Sequence, residues 1–90
     1  SDLTAMKRNL SLVAEELKNY QSGDWDKETL EPKLKEFITK NNLTNGEILW
    51  PLRVALTGLE KSPTPFEVAE ILGKNKTIKR ISEAIEKLNG

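Results

Sequence analysis

Residues able to do covalent chemistry are sparse in this chain. It has no cysteine and no histidine, so it offers no thiol nucleophile, no thiolate metal site, no disulfide and no imidazole base. Asp24, Asp26 and Glu28 form a small acidic group, but no glycine follows where a calcium loop needs one. A helix first turn accounts for these acids better. What remains is chemistry of recognition. Trp50, Arg53 and Thr57 recur at helical spacing, and Trp and Arg offer flat faces for stacking while Arg adds a forked donor. Ser62-Pro63-Thr64-Pro65 sets two fixed φ angles in a short connector that runs into a helix start. Gly73-Lys74-Asn75-Lys76-Thr77-Ile78-Lys79-Arg80 holds four cations and no acid, a pattern able to track a phosphate backbone. Each group has a plainer reading beside this one. Trp50 can pack under a neighbouring helix with Arg53 paired to a carboxylate. The proline pair can be a turn and a cap, and the lysines can be solvated surface.

The elements that must position these residues are helical throughout, and alternation at period two is never sustained. Leu3, Met6, Leu10, Val13, Leu17 and Tyr20 line one face of a first helix, with Ser22-Gly23 as its stop. A second helix starts near Asp24-Trp25-Asp26, or nearer Thr29 if Pro32 is to fall in its first turn. It carries Leu30, Leu34, Phe37 and Ile38 and stops at Asn41-Asn42. A third begins at Asn45-Gly46 and runs to Gly58, with Pro51 expected to kink or restart it. Around that helix Ile48, Leu52, Ala55, Leu56 and Leu59 face the core, whereas Trp50, Arg53 and Thr57 face away, with Val54 beside them. Thr64-Pro65-Phe66-Glu67 reads as a capping box opening a short fourth helix that ends at Gly73. The fifth bears Ile78, Ile81, Ile85 and Leu88, capped by Asn75 or Thr77. The expected fold is all-α, a compact bundle of about five helices in one domain over residues 1–90. Two leading helices occupy 1–44 and three more occupy 45–90.

Ninety residues support one modest core. Fourteen basic residues balance fourteen acidic ones, so bulk charge does not drive nucleic-acid binding, and any such role must rest on a local surface. No apolar run approaches a membrane span, and the missing initiator methionine suggests an excised fragment. A cytoplasmic, monomeric protein is the expectation.

The run Leu49-Trp50-Pro51-Leu52-Arg53-Val54-Ala55-Leu56-Thr57-Gly58, with Ser62-Pro63, Phe66-Glu67, Ile71-Leu72-Gly73-Lys74 and Ile78-Lys79-Arg80-Ile81, resembles the final part of bacterial glutamyl-tRNA synthetases. The likeness is close over residues 45–88 and looser over 24–44. It implies an all-helical cage that holds the anticodon loop of the glutamate tRNA, with bases splayed and read singly. The family's contacting residues fall on Arg53, Ser62 and Pro63, with Thr64 and Pro65 adjoining; the family often has glycine where Thr64 stands. Trp50 and Thr57 accompany Arg53, and Lys74, Lys76, Lys79 and Arg80 are expected to give weaker backbone contacts. The ATP-binding signatures of the family are absent, so ATP and magnesium would serve a catalytic domain outside this chain, which itself needs no cofactor or metal and is not an enzyme. The alternative is a helical protein-interaction module, which requires the Leu3–Tyr20 stripe to be exposed.

Overall fold

A computed structural model of the chain describes residues 2–58 and 63–89. The described residues form five α-helices and one short 3-10 turn: α1 (Leu3–Lys18), the turn Ser22–Asp24, α2 (Lys27–Lys40), α3 (Asn45–Thr57), α4 (Pro65–Leu72) and α5 (Lys74–Asn89). The fold is therefore all-α. α3 packs against each of the other four helices, α1 and α5 lie along one another, and α2 and α4 pair on the other side.

The stripe on α1 goes inward. Leu10, Val13, Leu17 and Tyr20 are buried, joining Leu30, Leu34 and Ile38 of α2, Ile48, Leu52 and Leu56 of α3, Phe66 of α4 and Ile81 of α5. Each such side chain contributes roughly 1.5–3 kcal/mol by leaving water. Only Leu3, at the start of the stripe, is well exposed. The exposed stripe that a helix-binding module requires is thus absent from α1.

Several boundaries differ from the sequence expectation. α1 ends at Lys18, four residues before Ser22. Tyr20 then turns into the core, and the Asn19 and Tyr20 amides close a tighter last turn on Glu16 and Leu17. α2 starts after Asp26, as the first of its two expected starts has it: the Asp26 carboxylate accepts the Thr29 amide at 3.0 Å, and Pro32 sits inside the helix rather than in its first turn. α2 closes as expected on Asn42, which holds φ 57 while the Asn42 and Leu43 amides reach back to Thr39 and Ile38. α3 is capped by Thr44 in a full box with Glu47. α5 begins directly after Gly73, and neither Asn75 nor Thr77 caps it. Thr77 is fully buried, and its hydroxyl points to the Ala69 carbonyl instead.

α3 runs unbroken through Pro51. A proline there cannot donate to the carbonyl four residues back, which belongs to Glu47. The buried Asn9 of α1 supplies the missing donor, its Nδ2 lying 3.1 Å from the Glu47 oxygen. The helix continues because a neighbour replaces the bond that the ring removed. Removing Asn9 should leave that carbonyl without its partner. Asn9→Ala is expected to cost about 1–3 kcal/mol, and to cost less in a Pro51→Ala background, where a backbone N–H is restored. Urea denaturation of the two single variants and the double variant measures this coupling.

Tyr20 is buried with no hydrogen-bond partner for its hydroxyl. Burial pushes its phenol well above the ordinary value, and the nearby Glu16 and Glu36 carboxylates push it further. Above pH ~10 the unfolded chain releases this proton while the folded one retains it. The contribution is therefore intact below that pH and is lost as pH rises. Tyr20→Phe should match or slightly exceed the parent in stability near neutrality, and lose less stability between pH 8 and pH 11, as read from urea midpoints.

Candidate nucleic-acid interface

The outward face begins at Trp50, which remains 42% exposed. Arg53 and Thr57 follow on successive turns, both half-buried, and the Thr57 hydroxyl donates to the Arg53 carbonyl at 2.8 Å. Trp50 is not wholly displayed. Together with Ala5, Met6 and Asn9 of α1 and Thr44 at the cap of α3, it lines a hollow of about 390 Å³. The indole thus faces a gap beside the start of α1 and is partly open to solvent. Val54 lies half-buried, lining a second hollow of about 510 Å³ between α1, α3 and α5 with Arg80 and Lys87 at its margin. Ala55, expected in the core, is half-buried, and Leu59 lies outside the described residues.

α3 ends at Gly58, whose φ of 73° is open to glycine at no steric cost. Ser62 also lies outside the described residues. Beyond it Pro63 is exposed, and Thr64 caps α4 with Pro65 buried at the first helical position. Thr64 Oγ1 accepts the Glu67 amide at 3.2 Å, while the Thr64 amide donates to the Glu67 carboxylate at 3.1 Å. The Thr64 amide foremost, and the Thr64 hydroxyl after it, hold the Glu67 carboxyl below its usual range. The box is accordingly present at neutral pH and is lost as pH falls through that lowered value. The proline-rich stretch thus does provide a cap, and Pro63 stands exposed immediately before it.

The basic turn divides into two pairs. Lys74 Nζ donates to the Lys18 carbonyl at 2.9 Å and the Tyr20 carbonyl at 2.6 Å, closing the end of α1. Arg80 Nη1 donates to the Leu56 carbonyl at 2.7 Å, at the end of α3. Both cations therefore sit where a helix dipole and free carbonyls favour them. Lys76 and Lys79 are exposed, three residues apart on one face of α5. Sequence reasoning treated all four alike, because nothing local distinguishes a lysine that reaches another helix from one in water. It also missed Asn9, although a proline at 51 announces a carbonyl in need of a donor. Among the described residues no cluster of His, Cys, Asp or Glu is placed to hold a metal ion, and no helix is long and apolar enough to cross a membrane.

Sequence comparison assigns this all-helical bundle to a family. The profile of the family described as "Anticodon binding domain" matches residues 2–85, and the chain belongs to that family. Among individual proteins it is similar to the glutamate–tRNA ligase of Clostridium tetani, with 39% identity over 87 residues covering 94% of this chain and 18% of that protein. Glutamate–tRNA ligase 2 of Rhodospirillum centenum is 45% identical over 62 residues, 69% of this chain and 13% of that protein. The Flavobacterium johnsoniae glutamate–tRNA ligase is 34% identical over 84 residues, 93% and 16% respectively. The chain spans less than a fifth of the length of these relatives. No solved structure gives a significant match.

The division of the basic turn has a direct consequence for stability. Lys74→Met should cost about 1–2 kcal/mol, since it strips two carbonyls of a charged donor. Lys76→Met should change stability by no more than about 0.5 kcal/mol, being a surface replacement. Urea midpoints of the two variants make the comparison.

Proposed function

We propose that this chain reads the anticodon loop of a tRNA as one part of a glutamate–tRNA ligase. Its membership of the anticodon-binding family is the observation that supports the reading most strongly. The α3 face gives it a physical basis: Trp50 offers an open aromatic surface, and Arg53 and Thr57 follow on the next turns. Single-stranded bases are read by such means, through stacking and through donors to their edges. On this reading Arg53 addresses a base, Ser62 and Pro63 address a second contact by resemblance, and Thr64 and Pro65 fix where that contact stands. Lys76 and Lys79 meet phosphates. The partner is the glutamate tRNA, the chain acts as a monomer, and the setting is cytoplasmic. Aminoacylation, with ATP and magnesium, belongs to a catalytic part of the parent protein outside this sequence.

The test is a fluorescence titration of the chain with an anticodon stem-loop carrying a glutamate anticodon, beside a stem-loop of scrambled loop sequence. With no net charge to draw RNA in, the expected dissociation constant is on the order of 10⁻⁴ to 10⁻⁶ M at physiological salt. Arg53→Ala should weaken binding by about 1–3 kcal/mol with folding nearly intact. Arg53→Lys should not restore it, because a point charge does not reproduce a planar fork. Equal binding of both stem-loops, or a steep loss of melting temperature with unchanged affinity in Arg53→Ala, would overturn the assignment.

A further inference from the structure

The last carbonyls of a helix have no donor within it, and whatever supplies one fixes the direction in which the chain departs. α3 is the helix that carries the outward face, and its final turn holds Arg53, Thr57 and Gly58. Three bonds meet at that turn. Thr57 Oγ1 donates to the Arg53 carbonyl, Gly58 N donates to Val54 at 2.7 Å, and Arg80 Nη1 reaches across from α5 to Leu56 at 2.7 Å. The first two are local to α3. The third comes from another helix through a charged donor, and it spans 24 residues of sequence.

We propose that Arg80 is a positioning residue for RNA reading: it holds the end of α3, and through it Arg53 and Thr57, in the geometry that meets a base, and it does not contact phosphate. The inference rests on the anticodon-reading function proposed above. All three side chains are exposed, and what separates Arg80 from Lys76 and Lys79 is its bond to the Leu56 carbonyl on another helix. A guanidinium committed to a carbonyl at the negative end of a helix dipole is stabilised where it lies. Drawing it away to a phosphate would leave the Leu56 oxygen without that donor. The basic turn thus contains two cations that fix helix ends and two that are available to a polyanion.

The experiment uses Arg80→Met and Lys79→Met in the same chain, titrated with the glutamate-anticodon stem-loop across a range of salt concentrations. Lys79→Met should reduce the slope of log affinity against log salt by about one unit or somewhat less, the mark of a lost phosphate contact. Arg80→Met should weaken binding about fivefold to tenfold while leaving that slope unchanged. Combined with Arg53→Ala, it should cost less than the two losses summed, because it acts through Arg53. Circular dichroism at the assay temperature checks that the variant is folded. If it is not, Arg80→Gln, which retains a side-chain N–H donor, is read by the same criteria. A slope reduced as in Lys79→Met, or losses that simply add, makes Arg80 a phosphate contact and overturns the inference while leaving anticodon reading intact. Unchanged affinity in Arg80→Met also overturns it. Failure of the parent chain to bind the stem-loop removes the functional reading itself, and the inference with it.

Discussion

Every helix in this protein ends in carbonyls that need donors, and the way those donors are supplied organises the fold. α1 is closed by Lys74 through the Lys18 and Tyr20 oxygens. α2 is closed by its own Asn42 turn, with the Asn41 side chain on Phe37. α3 is closed by Gly58 and by Arg80. α4 ends at the Ala69 carbonyl, which takes the Gly73 amide at 2.9 Å, the Trp25 indole at 2.8 Å and the Thr77 hydroxyl at 3.5 Å. Three of the four closures therefore include a donor from distant sequence. Apolar burial supplies the driving force, but these directional bonds fix which helix ends meet.

The same logic explains what was legible in the sequence. Helix starts are encoded locally, in a side chain three residues from the amide it accepts, so the Thr64–Glu67 box was readable without the fold. Asn42 and Gly73 were readable for a similar reason, since a left-handed φ restricts residue choice. The end of α1 was not. Ser22-Gly23 is a reasonable local stop, yet a lysine 56 residues away takes the earlier carbonyl. Thr77 looked like a cap from its type and proved to be a core hydroxyl bonded to another helix. Pro51 was expected to kink or restart its helix, whereas α3 runs through it, because its repair by Asn9 depends on α1 lying beside α3.

The candidate site was legible in part for a related reason. Helical periodicity alone placed Trp50 on the side away from Leu52 and Leu56, and the structure keeps that separation, with both leucines buried and the indole partly open. Periodicity gives a direction around one axis but not what stands opposite it, so the hollow that Trp50 shares with the start of α1 was invisible. The basic run was legible as composition only. Its split into clasps and exposed cations is a property of neighbours.

The clasps on α1 and α3 share one further property: both donors lie on α5, the final helix. A polypeptide emerging from the ribosome delivers α1 and α3 before the side chains that finish them. Until Lys74 and Arg80 appear, the nascent segment holds two unfinished helix ends and a core lacking Ile81. Long sequence separations of this kind delay ordering until the distant partner exists. Synthesis therefore sets a checkpoint at α5, and the Trp50–Arg53–Thr57 face of α3 attains its final shape only once α5 has emerged.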